Sequence, residues 1–198
     1  MSQKQLFGAI ILAGGRSSRF GRDKSLLKID GITIVADNIR RWEGLFSDII
    51  IVSNSAHKLD IAQTREISDL YPGCGPLGGL HAGLCAAKYA MNLLTACDMP
   101  YLNRDLISLL LAQAAQSAQA DIVACRYQGK VEPLCALYHQ RCAALAERLL
   151  RQGQRSMMGL HDRCRVSYVE VEEALFNINT QEDAAQFAAG VGGRSLTF

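Results

Sequence analysis

The stretch LAGGRSSRFGRDKSLL, residues 12–27, gathers three glycines with Arg16, Arg19, Arg22 and Lys24 just beyond an apolar run. Adjacent glycines such as Gly14 and Gly15 let a backbone approach a ligand closely and aim N–H groups at an anion. Arg19 would add a planar fork and Lys24 a point charge, a combination suited to a triphosphate. Spacing excludes the two commonest phosphate loops. A Walker loop needs glycine directly before Lys-Ser/Thr, and Asp23 precedes Lys24-Ser25. A dinucleotide fingerprint needs G-x-G-x-x-G, whereas Gly21 follows the Gly14-Gly15 pair six residues later. What remains is a strand, a double glycine and a basic flank, or else a glycine-rich turn with a solvated edge.

A second chemical candidate is Asp98, just beyond the run MNLLTA, where Met99-Pro100 stops a strand. Open parallel sheets bind ligands outside the carboxyl ends of their strands. A carboxylate there, facing a nucleoside triphosphate, would ligate Mg2+, which takes one or two protein carboxylates and keeps waters. The alternative is a plain turn residue ahead of a proline. His57, His81, His139 and His161 are scattered without metal-ligand spacing. The seven cysteines are odd in number and contain no C-x-x-C pair, so they read as small buried hydrophobes of a reducing cytosol.

These residues need elements to hold them. LFGAIILAGG, SDIIIVSN, MNLLTACDMP and ADIVACRY are short runs, apolar on both faces, as parallel strands are. Helical spacing covers about 31–43, about 78–90 and about 103–118. VEPLCALYHQR reads as a strand, CAALAERLLRQG as a helix ended by Gly153, and VSYVEVEE as an edge strand. Thr180 caps a last helix, with Glu182 and Asp183 in its first turn. The pattern predicts an α/β protein, a Rossmann-like, mostly parallel sheet flanked by helices, in one domain over 1–188. Residues 189–198, glycine-rich, are expected to form a mobile tail. The net charge of +2 is too small to imply a nucleic acid or membrane partner, although the basic residues cluster near the glycine loop. No signal peptide and no run of roughly 18 apolar residues is present, so a cytoplasmic protein is expected.

The glycine loop resembles the L-A-G-G-x-S-x-R-M-G-x-D-K-x-L-L signature of the molybdenum cofactor guanylyltransferases, with Phe20 where methionine is usual. VSN at 52–54, SDLYPGCGPLGGL at 68–80, CDMPYL at 97–102 and FNINT at 176–180 match in the same order, so the resemblance spans nearly the whole chain. It implies a nucleotidyltransferase fold and transfer of GMP from GTP to the phosphate of molybdopterin, with Mg2+ as cofactor. Molybdoenzymes or other cofactor-biosynthesis proteins would be further partners. It implies catalytic roles for Arg19, Lys24 and Asp98, and nucleotide contacts at Leu12, Ala13, Gly14, Gly15, Lys24, Asn54, Asp69 and Asp98. Asn179, with Asn177, would be a second metal or phosphate contact, and Arg155 would meet the acceptor. SDLYPGCGPLGGL would close as a second glycine loop, with Gly79 standing where the family more often has Ala. Glu132 stands where the family often has His or Gln before the proline, which bears on the acceptor. A cytidylyl- or sugar-1-phosphate nucleotidylyltransferase, or a nucleotide-binding accessory protein without turnover, are the competing readings. The double glycine favours guanine over the cytidylyl relatives, which tend to have Ala-Gly.

Overall fold

The structure is a computed structural model that describes residues 6–13, 26, 28–29, 31–54, 59, 61–100, 102–173, 175, 178, 180, 182–183 and 196–197. In chain order its elements are β1 (Phe7–Leu12), β2 (Lys28–Ile29), β3 (Ile32–Thr33), α1 (Ile34–Arg41), β4 (Asp48–Val52), β5 (Thr64–Ile67), α2 (Pro76–Ala86) and β6 (Met91–Ala96). There follow α3 (Arg104–Gln116), β7 (Ile122–Tyr127), β8 (Lys130–His139), α4 (Cys142–Arg151), α5 (Met157–His161), β9 (Val166–Glu170) and β10 (Leu196–Thr197).

Seven strands form one sheet in the order β5-β4-β1-β6-β8-β7-β9. Six run parallel and β8 alone is reversed, antiparallel to both β6 and β7. The reversal follows from the β7–β8 hairpin, whose central residues Gln128 and Gly129 have φ of 47° and 79°. Positive φ at both is the two-residue turn that matches strand twist. β8 then departs from regular pairing: Ala136 faces Ala124, but Glu132 already faces Cys125, so residues 133–135 bulge out. Tyr138 Oη donates to the Pro133 carbonyl across that bulge at 2.8 Å.

β1 is buried along its whole length, and its side chains divide between two cores. Phe7, Ala9 and Ile11 pack with Val35 and Trp42 of the α1 region and Ile107 and Leu110 of α3. Ile10 and Leu12 pack on the other face with Leu77, Leu80 and Leu84 of α2 and Leu149 of α4. Burial on both faces is what a run of continuous apolar residues demands.

Several boundaries differ from the sequence expectation. The helix predicted from about 31 begins at Ile34, because Gly31 turns and residues 32–33 pair with β2 before Thr33 caps α1. The helix predicted from about 78 begins at Pro76, where a proline at the first helical positions sacrifices no hydrogen bond. Gly79 is therefore a buried helical residue packed on Leu12, not part of a glycine loop. The strand β5 is short and polar, and no pattern in the sequence announces it. Leu196 and Thr197, expected in a mobile tail, pair antiparallel with Ile29 and Lys28, where β2 offers an open edge. Thr180 caps as expected: its hydroxyl accepts from the Asp183 N–H at 3.0 Å while Asp183 accepts from the Thr180 N–H at 2.8 Å.

Candidate active site

Three adjacent parallel strands end together at one edge of the sheet. Leu12, the last residue of β1, lies opposite Val52 of β4 and Ala96 of β6. The pairing runs slightly further: the Ala13 N–H donates to the Val52 carbonyl at 2.9 Å and the Cys97 N–H to the Leu12 carbonyl at 3.0 Å. Leu12 and Ala13 are buried there. Gly14, Gly15, Arg19 and Lys24 lie outside the described residues, but the chain enters their segment from Ala13, beside the exit that carries Asp98. The geometry brings β1, Asn54 and Asp98 to the carboxyl edge expected of a ligand site.

Asp98 is half-buried on the turn that leaves β6. Its carbonyl accepts from the Ile178 N–H at 2.9 Å, and Ile178 is fully buried. Asn177 and Asn179 lie outside the described residues; Ile178 is their neighbour in sequence. A carboxylate at the exit of a strand is a suitable ligand for a hard cation. Among the described residues no group of three or more His, Cys, Asp and Glu side chains could hold a metal ion.

Glu132 approaches from the bulge of β8. Its Oε1 accepts from the Leu134 N–H at 3.0 Å. Burial raises its carboxyl above the ordinary value, and the charge of Asp98 adds to this against the pull of that N–H. The sequence marks Glu132 only as a departure from a family pattern. Its proximity to Asp98 comes from the antiparallel return of β8, which apolar patterning does not encode.

Asn54 and Asp69 are joined. The Asp69 N–H donates to Asn54 Oδ1 at 3.0 Å, and Asp69 Oδ1 accepts from the Tyr71 N–H at 2.8 Å. The first bond fixes the orientation of the Asn54 amide. Asp69 folds back on the start of α2, where the helix dipole favours a carboxylate. A Cβ at Gly78 would lie 2.9 Å from the Tyr71 carbonyl and 3.0 and 3.1 Å from the Asp69 carboxylate oxygens, so only glycine fits undisturbed. Gly75, with φ of 70°, makes the turn into α2.

Arg155 is exposed on the connection between α4 and α5, and its Nη1 donates to the Gly73 carbonyl at 3.3 Å. It thus meets the 68–75 loop; no described contact joins it to Asp98. His81, 5% exposed, sits in α2 with its Nε2 3.4 Å from Cys85 Sγ and its ring edge-on to Tyr71. His161, 3% exposed, holds Tyr138 Oη at 2.7 Å. Four cysteines, 97, 125, 135 and 142, are buried and all seven are free thiols.

A family model described as a MobA-like NTP transferase domain matches residues 9–166. A protein of Peptoclostridium acidaminophilum named a probable molybdenum cofactor guanylyltransferase is 37% identical, covering 93% of this chain and 90% of its own. Among solved structures, molybdopterin-guanine dinucleotide biosynthesis protein A from Archaeoglobus fulgidus superposes with a TM-score of 0.74 at 23% identity, covering 90% of this chain and 95% of its own. The 2-C-methyl-D-erythritol 4-phosphate cytidylyltransferase from Thermus thermophilus superposes at 0.71 with 13% identity, covering 92% and 98%. At those identities the two structures speak for the fold alone.

Proposed function

We propose a specific reaction for this chain, which belongs to the MobA-like NTP transferase family and is a nucleotidyltransferase: transfer of GMP from GTP to the phosphate of molybdopterin, with release of pyrophosphate. The observation that carries it is the meeting of β1, Asn54 and Asp98 at one sheet edge, in a chain whose curated relative bears that activity in its name. An oxygen of the acceptor phosphate attacks the α-phosphorus, and the bond to the bridging oxygen of the leaving pyrophosphate breaks. A phosphate nucleophile needs little general-base help, so catalysis is positioning and charge stabilisation.

Each residue has a role in that reading. Backbone N–H groups at Gly14 and Gly15 hold the triphosphate, continuing from Leu12 and Ala13. Arg19 and Lys24 offset charge on the α-phosphate and the pyrophosphate. Asp98, with Asn179, would hold Mg2+, which when bound would supply positive charge against the charge that develops on the phosphates. Asn54, its carbonyl accepting from the Asp69 N–H, would turn its amide donors to a base. Donors match the O6 acceptor of guanine and oppose the exocyclic amine of adenine or cytosine. Asp69 keeps an oxygen for the guanine N1–H and N2–H2 edge, and Arg155 would meet the acceptor.

Two measurements test this. Asp98→Ala should fold with the parent melting temperature and lose turnover by about 100-fold or more; normal transfer by that protein would remove Asp98 from the chemistry. GTP, CTP, ATP and UTP competing in an in vitro molybdopterin assay should yield the guanine product. Preference for CTP would favour the cytidylyl reading, and nucleotide binding without pyrophosphate release the accessory one.

A further inference from the structure

α1 turns two polar side chains into the core. Asn38 and Trp42, four residues apart on one face, are 2% and 1% exposed. Asn38 Nδ2 donates to the Met99 carbonyl at 3.0 Å, and Trp42 Nε1 donates to the Leu102 carbonyl at 2.8 Å. Both acceptors belong to the segment that carries Asp98 out of β6. That segment is gripped elsewhere too: its Met99 N–H returns to the Ala96 carbonyl at 3.3 Å, and the Asp98 carbonyl takes the Ile178 N–H. The peptide that follows Asp98 is thus fixed from one side by α1 and from the other by the 178 segment.

Packing alone does not account for Asn38. Its Oδ1 is buried and has no partner among the described residues. A buried amide with an unpaired oxygen is less stable than an apolar side chain of the same size. What the amide does is hold one carbonyl, next in sequence to Asp98. α1 also borders the other half of the site. Thr33, its cap, belongs to β3, and β3 pairs with β2, the first strand after the glycine loop.

We propose that Asn38, with Trp42, is a positioning residue for the reaction: it holds the Asp98 segment in the conformation that lets the carboxylate reach the metal of a bound nucleoside triphosphate. This rests on the reading of Asp98 given above. Second-layer groups of this kind orient a ligand without touching the metal.

The test compares GTP binding to the full chain by calorimetry in EDTA and in saturating Mn2+. The ratio of the two affinities reports the coupling between protein and metal and needs no turnover. Asn38→Leu keeps the branched shape, though with somewhat larger terminal groups, and removes the donor together with the unpaired oxygen. It is expected to shrink the Mn2+-induced tightening, and kcat, by about tenfold. Metal-free GTP affinity should stay within about twofold, and the melting temperature should not fall. Trp42→Phe keeps an aromatic ring and deletes the N–H together with part of the indole, so its melting temperature is read beside the ratio; a loss of about threefold in the ratio is expected, and it decides the matter if Asn38→Leu does not fold. An unchanged ratio in a folded variant overturns the proposal. So does an equal loss of metal-free binding, which marks general packing. If Asp98→Ala leaves the parent ratio intact, the metal reading itself falls and this inference with it; the variant that moves the ratio tells the two failures apart.

Discussion

Glu132 shows how one side chain can bring a like charge next to a reactive centre. Its carboxyl is raised by burial and by Asp98, with the Leu134 N–H pulling the other way. A group with a raised native pKa contributes stability that is complete below its unfolded value and is lost as pH rises through the folded one. Ionised Glu132 is therefore a net cost at pH 7. Glu132→Gln, which still accepts from Leu134, is expected to melt higher than the parent at pH 7. The gain should vanish below its ordinary 4.5, as melts at pH 4 and 7 would read. A gain that persists at pH 4 would mean packing, not charge. The sequence makes Asp98 legible because a proline-stopped apolar strand advertises its own end. It does not make Asn38 legible as a partner, because the bond to Met99 spans 61 positions and leaves no periodic trace.

The two adjacent glycines of α2 look equivalent in sequence and are not. At Gly78 an added methyl meets backbone, the Tyr71 carbonyl at 2.9 Å, together with the Asp69 carboxylate. At Gly79 it meets Leu12 Cδ2 at 2.7 Å, the end of a side chain that can rotate away. Ala raises helix propensity over Gly by about 0.8–1.0 kcal/mol at either place. Gly79→Ala is accordingly expected to lie within about 1 kcal/mol of the parent in denaturant melts, the helical gain offsetting the adjustment of Leu12. Gly78→Ala should displace the 68–75 loop and weaken GTP binding by about tenfold, or ~1.4 kcal/mol. Equal behaviour of the two would contradict the packing described. At this scale the sequence is a partial guide. Continuous apolar runs place β1, β4, β6 and β7, because burial on both faces leaves no choice of residue. The direction of β8 is set instead by a Gln128-Gly129 turn, a weaker signal than the usual Asn-Gly. β5 forms because β4 has an open edge, not because Thr64–Ile67 is strand-like.

The molecule as a whole should have an acid-sensitive stability with a nameable source. Tyr138 gives its phenolic proton to the Pro133 carbonyl, so His161 must donate from Nε2 to the phenol and keep Nδ1 bare. Nδ1 is buried without a partner among the described residues, and burial holds His161 down to about 4. A depressed native pKa contributes stability present above the unfolded value of 6.5 and lost as pH falls toward the folded one. The loss amounts to about 3 kcal/mol by pH 4. His161→Leu is expected to flatten the fall of melting temperature between pH 6.5 and 4; an equally steep fall would put its source elsewhere. Because the same pair pins the β8 bulge, acid would loosen the Glu132 side of the site as it loosens the fold.

The indole that grips Leu102 is also the chain's single tryptophan. Its emission therefore comes from one place, a dry pocket between the first helix and the aspartate-bearing turn, with no other indole to average against. Light absorbed at 295 nm is a question put to that turn alone, and the wavelength that returns is its answer.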